Sequence, residues 1–249
     1  MIILKSLQEI EKIRNACLIV ADVLDHIREQ VRPGVSTQAL DEIAERRIMA
    51  AGAKPAFKGY RGYPKTLCTS VNNEVIHGIP SQEVVLSQGD IVSVDVGAIV
   101  DGFYGDAAIT IPVGTVTKEA ERLIRVTEES LYRAIDQAKA GKRLYDISHA
   151  VQSHVEAHGY SIVRDYVGHG IGRNLHEDPQ IPNFGSEGQG PRLKAGMVLA
   201  VEPMVNAGGS ATIVREDGWT AVTSDGSLSA HFEHTIAVMP DGPWILTKK

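Results

Sequence analysis

Two acidic residues stand inside apolar runs, where an ionised side chain would lose its water: Asp95 in IVSVDV and Glu202 in MVLAVEPMV. A carboxylate in such a place needs a positive partner to offset its lost hydration, and metal ions are the leading candidates. Aligning LSQGDIVSVD on LKAGMVLAVE pairs Leu86 with Leu193, Gly89 with Gly196 and Asp95 with Glu202, each 107 positions apart. The chain therefore reads as internally duplicated, with an acid at the same place in each half.

The strand holding Asp95 runs on to Val100, turns at Asp101-Gly102 and returns through Phe103 to Thr110. Asp-Gly between apolar runs is a two-residue hairpin signal. That turn sets Val100 opposite Phe103, Asp95 opposite Ala108, and Asp106 on the same face as Asp95. Diagonal neighbours of this kind have Cα atoms about 7–8 Å apart, a span that two aspartates can close on metals between them. The competing reading is a solvated Asp106 and an Asp95 that accepts backbone hydrogen bonds; Glu202 at the matching position weighs against it. A fourth carboxylate is expected from Glu233 in SAHFEHTIAV, where strand alternation puts His231 and Glu233 on one face and Phe232 on the other. Its register to Glu202 cannot be counted through the loop-rich stretch 206–228.

Four carboxylates with one or more imidazoles carry about four negative charges, which two divalent ions neutralise before a bridging hydroxide is added; oxygen-rich, partly imidazole surroundings suit Mn, Fe, Co or Zn. Among nine histidines, His169 and His176 in YVGHGIGRNLHEDPQ stand out, because the glycines allow a tight backbone that turns both rings toward one point. His77 in NNEVIHGIP echoes the HGI of His169-Gly170-Ile171 at an offset of 92. His154 and His158 form an i, i+4 pair that could hold zinc. The motif is nevertheless HVEAH and not HExxH, so an exposed helix face is expected there and the pair is left outside the catalytic site.

Four helices must position these groups. Ser6 and Glu9 form a capping box for a first helix whose stripe is Leu7, Ile10, Ile13, Cys17, Val20, Leu24 and Ile27, ending before Pro33-Gly34. A second spans Thr37 to Ala51, a third starts after Thr117 and stops at Gly141, and a fourth runs from Tyr145 to His158. Gly34 and Gly141, and likewise Gly52 and Gly159, keep the offset of 107. Each half thus reads helix, helix, histidine loop, strand, hairpin. The 249 residues, with no linker or composition break, predict an α+β chain of one domain built of two halves, about 1–110 and 111–249. The architecture expected from these elements is a curved mixed sheet with helices on its outer face.

A net charge of −6 and the absence of a basic run argue against nucleic acid. Only Cys17 and Cys68 are present, outside any CxxC pairing, which fits a reducing, cytoplasmic setting. The charged amino terminus is unlike a signal peptide, and no apolar stretch reaches membrane-spanning length, so no membrane is expected.

The segments SVNNEVIHGIP, GDIVSVDVGAIVDGFYGDAA, YVGHGIGRNLHEDPQIPNFG, LKAGMVLAVEPM and SAHFEHTIAV together resemble the type I methionine aminopeptidases of bacterial kind, an M24 metallopeptidase group, over essentially the whole chain. The resemblance implies the duplicated pita-bread fold, its sheet mostly antiparallel, and removal of the N-terminal methionine from nascent proteins whose second residue is small. It makes Asp95, Asp106, His169, Glu202 and Glu233 the ligands of two divalent ions, with Asp106 and Glu233 bridging, and implies hydrolysis by a hydroxide held between the ions. Metal binding can bring water from a pKa of about 15.7 toward about 7. Glu202 is then the proton carrier, His176 the stabiliser of the oxyanion and His77 a contact to the substrate backbone.

By the same resemblance Tyr60, Tyr63, Cys68 and Trp219 surround the methionine side chain, and a monovalent cation such as sodium sits near Asn72 and Ser229. Phe57 stands where relatives often carry cysteine, and Leu175 where phenylalanine is more usual. The family further implies a monomer that meets nascent N-termini, with the ribosome as the place of encounter. Proline-specific peptidases of the same fold share the ligands but usually carry an extra amino-terminal domain, for which the first helix at Ser6 leaves no room. Binding modules of the fold usually lose ligands, and none is missing. The spacing of 31 from Glu202 to Glu233 leaves no room for the insert of type II enzymes.

Overall fold

A computed structural model describes all residues, Met1–Lys249. The four helices are α1 (Leu7–Gln30), α2 (Thr37–Ala50), α3 (Lys118–Gln137) and α4 (Leu144–Ala157). The capping box at α1 forms in both directions, the Glu9 N–H donating to Ser6 Oγ and the Ser6 N–H to Glu9 Oε2. Ile10 through Ile27 of its stripe are buried, but Leu7, the first residue of the helix, is 59% exposed. α3 ends at Gln137, four residues before Gly141, and the intervening residues turn the chain into α4.

Nine strands build the main sheet: β1 (Lys54–Pro55), β2 (Leu67–Val71), β3 (Ile91–Val100), β4 (Phe103–Pro112), β5 (Gly168–Gly170), β6 (Glu177–Ile181), β7 (Val198–Val201), β8 (Glu233–Met239) and β9 (Gly242–Ile245). Their order is β1-β3-β4-β8-β7-β5-β6, with β2 beside β3 and β9 beside β8, and every pairing is antiparallel. The β3–β4 hairpin has the register that its turn dictates: Val100 faces Phe103, Asp95 faces Ala108 and Gly97 faces Asp106. Asp101 and Gly102 have φ of 50° and 77°, both positive as a type I′ turn demands.

Three glycine pairs at the offset of 107 share backbone conformations: φ is 89° and 93° at Gly34 and Gly141, 76° and 80° at Gly52 and Gly159, and 95° and 92° at Gly89 and Gly196. The HGI echo does not extend to structure. His77 lies in a loop with φ of 61°, whereas His169 is part of β5.

Strand alternation separates two environments. Val92, Val94, Val96 and Ala98 of β3, with Ala107 and Ile111 of β4, pack on Val20, Leu24 and Ile27 of α1 and Leu40, Ala44 and Ile48 of α2. A second core joins α3 and α4 to Leu199, Val201, Ile236 and Val238. Each buried Val, Leu or Ile contributes about 1.5–3 kcal/mol, and this apolar side carries the stability against which polar groups are buried on the opposite face.

α1 approaches β4 closely at Gly105, where a Cβ would lie 2.5 Å from the backbone nitrogen of Cys17. Gly105→Ala is therefore expected to lower stability by about 1–3 kcal/mol, as overpacking does, measured by denaturant unfolding. An unchanged midpoint would mean that α1 tolerates displacement from the sheet.

Candidate active site

The apolar-to-polar alternation places the acids on the face away from α1 and α2. Asp95 on β3, Ala108 on β4 and Glu233 on β8 form one cross-strand row, and Asp106 lies two residues from Ala108 on the same face. His169 on β5 faces Ala200 of β7, which also faces Thr235 of β8. Glu202 follows immediately after β7 ends at Val201, and is not inside the strand as its apolar surroundings predict. Val201 faces His234, so continuing that register brings Glu202 beside Glu233.

His169 Nε2 is 3.5 Å from Glu202 Oε1 and 4.0 Å from Asp106 Oδ2, and donor atoms of Asp106, His169 and Glu233 lie within 4.8 Å of one another. The His169 Nδ1–H donates to the Gly170 carbonyl at 2.9 Å, since a carbonyl can only accept. Its Nε2 therefore keeps a free lone pair for a cation. Asp95 Oδ1, Asp106 Oδ1 and Glu233 Oε1 are buried with no hydrogen-bond partner.

No lysine or arginine forms an ion pair with any of the four carboxylates. Burial pushes the Asp95 carboxyl up to about 7, and burial with the neighbouring negative charges pushes Asp106, Glu202 and Glu233 well above the usual range. Burial also lowers His169 to about 3, so this imidazole is neutral and available as a donor. Orphaned buried oxygens facing a neutral imidazole form a donor set that fits divalent cations and strains without them.

The same cleft gathers the remaining residues singled out in the sequence. Phe57, Tyr60, Tyr63, Cys68, His77, Leu175, His176 and Trp219 line it together with Asp95, Asp106, His169, Glu202 and Glu233. Cys68 on β2 sits across from Asp95. The Trp219 ring meets Tyr63 edge-on at 5.1 Å and His77 at 6.3 Å between centroids. The His176 ring lies 4.3 Å from that of His169, and its Nδ1 is 2.8 Å from the Tyr60 hydroxyl. Asn72 and Ser229 are outside the cleft and are joined by a hydrogen bond from the Ser229 N–H to the Asn72 carbonyl, 2.9 Å.

A sequence profile of metallopeptidase family M24 matches residues 11–240. A methionine aminopeptidase of Clostridium perfringens is 55% identical over 247 residues, covering 99% of both chains. Methionine aminopeptidase 1 of Bacillus subtilis is 52% identical over 248 residues, covering 100% of both. The chain belongs to metallopeptidase family M24, in its methionine aminopeptidase group.

The crystal structure of methionine aminopeptidase from Thermotoga maritima superposes on this M24 peptidase with a TM-score of 0.99 at 51% identity, each chain covered completely. A prolidase from Pyrococcus furiosus shares the fold at a TM-score of 0.78 and 25% identity, but only 66% of its chain is matched. The pita-bread fold, a curled antiparallel sheet with four helices, is thus shared by both.

One residue lining the M24 peptidase's cleft, Arg61, is not legible in the sequence, and one beside it, His231, is legible only as a residue on the Glu233 face. Arg61 lines the cleft from a left-handed turn with φ of 50°, and nothing in KGYRGYP marks which residue of the turn faces inward. His231 is fully buried, with Nε2 3.8 Å from Glu202 Oε2, and burial depresses it to about 3. The alternation of HFE placed His231 beside Glu233 and was the available signal.

Proposed function

We propose that this enzyme is a methionyl aminopeptidase that removes the N-terminal methionine from nascent chains and peptides whose second residue is small. The observation that carries this reading is the set of four carboxylates, Asp106 and Glu233 buried and Asp95 and Glu202 half-buried, gathered around one neutral histidine without a paired lysine or arginine, in a chain matched end to end by methionine aminopeptidases. Asp95, Asp106, His169, Glu202 and Glu233 would hold two divalent ions, drawn from Mn, Fe, Co and Zn. Such ions supply Lewis acidity, polarising a peptide carbonyl and acidifying water.

The chain's own groups do the rest. Glu202 accepts the proton released by the attacking water and passes it to the departing amine. Burial and the nearby Arg61 charge depress His176, so it acts as a neutral donor. With Tyr60 donating to Nδ1, the Nε2–H faces the carbonyl oxygen as negative charge develops there. His77, depressed to about 4 by burial, contacts the substrate backbone as a neutral ring. Tyr63, Cys68, Trp219, Phe57 and Leu175 surround the methionine side chain, whose polarizable thioether suits aromatic and sulfur walls. Tyr60→Phe is accordingly expected to lower kcat by about 10-fold through loss of the His176 tautomer, read in steady-state kinetics. Wild-type kcat in that variant would remove Tyr60 from the account.

A sodium ion near Asn72 and Ser229, a monomeric state, one catalytic domain of two halves (about 1–110 and 111–249), and a cytoplasmic setting at the ribosome complete the proposal. Two free buried cysteines and the absence of any helix long and apolar enough to cross a membrane are consistent with that setting. Activity is tested with peptides: the metal-loaded enzyme should release methionine from Met-Ala-Ser, leave peptides with a large second residue largely intact and spare Xaa-Pro substrates. Preferential cleavage of Xaa-Pro would assign it to the prolidase branch of the fold.

A further inference from the structure

The HVEAH pair is not the exposed helix face its sequence predicts. His154 is 8% exposed, packed between α3 and α4, and its Nε2 is a buried atom with no hydrogen-bond partner. Glu129 of α3 brings Oε2 to 3.2 Å from that nitrogen, without the alignment of a hydrogen bond. His158, at the C-cap of α4, stacks at 4.4 Å between ring centroids from His154. One donor atom from each of the three residues lies within 4.8 Å of the others.

We propose that Glu129, His154 and His158 form a second metal site, on the helical layer and separate from the cleft, that takes zinc(II) or a similar borderline divalent ion. Ligand spacing is the first support. Zinc–nitrogen and zinc–oxygen bonds of about 2.0–2.1 Å at a tetrahedral angle hold their donor atoms about 3.3 Å apart, which the 3.2 Å from His154 to Glu129 matches. Tautomer control is the second: His158 Nδ1–H donates to the His154 carbonyl at 2.7 Å, leaving the Nε2 lone pair for a metal.

His154 also lines the wide cleft between α3 and α4, where Asp136, Asp146 and Glu187 outnumber Arg133 and attract cations toward the site. Two imidazoles and one carboxylate leave a fourth position for water.

The test is zinc titration of the holoenzyme, with bound metal counted after removal of free ions. Wild-type protein should hold one zinc more than His158→Ala at the same free zinc, and Glu129→Gln should bind that extra ion at least 10-fold more weakly. Both variants should keep wild-type methionine release, and Asp106→Ala should keep the extra ion, because neither change touches the other site. Zinc should also raise the unfolding temperature of the wild type more than that of His158→Ala. Equal zinc content in wild type and both variants, or loss of the extra ion in Asp106→Ala, would overturn the proposal.

Discussion

Asp106→Ala should abolish turnover, lowering kcat/KM by at least about 10³-fold, and should strip metal from the cleft. Asp106 is diagonal to both Asp95 and Glu233, buried to 4% exposure, and shares donor spacing with His169 and Glu233. Loss of one hydrogen-bond donor to a developing oxyanion already costs about 10²–10³-fold. A residue that organises the whole cation site must cost more. Glu202→Ala should be comparably severe, since it removes both a ligand and the proton carrier. Metal content and steady-state kinetics separate the two, and retained turnover in Asp106→Ala would refute a two-metal site.

The second large effect is on the linkage between metal and protons. In the metal-free fold Asp95 titrates at about 7 against an ordinary 3.8, and Asp106, Glu202 and Glu233 are shifted in the same direction. Raised carboxyl groups stabilise the folded state below their unfolded pKa of about 4, and that stability is lost as pH rises through the folded value. Buried histidines such as His169 and His231, depressed to about 3, oppose this trend. They cost stability as pH falls below the ordinary histidine value of about 6.5.

The difference between metal-free and metal-loaded protein isolates the carboxylates. Metal must displace their protons but none from His169, so apparent affinity should rise between pH 5 and 7 by about 10-fold per pH unit for each proton released. Calorimetry in two buffers of different ionisation enthalpy counts those protons. A count of zero at pH 6 would show that the carboxylates are already ionised.

How far these features were legible in the sequence depends on the distance over which they were encoded. The Asp95–Asp106 geometry follows from a two-residue turn, and the register propagates ten residues back along β3 without a bulge. Glu233 was identifiable only as a type in a strand. Its row with Ala108 and Asp95 is set after a detour through short strands at Met204–Asn206, Thr212–Val214, Ala221–Thr223 and Ser229–His231, of which only the middle two form a local hairpin; Ala221–Thr223 also pairs back to Glu74–Ile76, and Met204–Asn206 pairs across both to Ser229–His231.

Glu202 reads as a strand residue because its neighbours are apolar, yet the strand stops at Val201, and Pro203, which follows Glu202, has no N–H to offer a ladder. His154 reads as exposed in the sequence because helical spacing shows which residues share a face, not which second helix covers it. α3 supplies that cover, from more than twenty positions earlier in the chain. The HGI echo marks two histidines of one cleft without a shared backbone, since His77 is left-handed in a loop and His169 is extended in a strand.

Methionine release from Met-Ala-Ser by chelator-stripped protein, followed as divalent ions are added back, tests the central claim most directly. The account predicts negligible release from the stripped protein, recovery as ions refill the carboxylate cluster, and no recovery at any ion concentration in Asp106→Ala. Full activity in protein shown to be free of metal would contradict it.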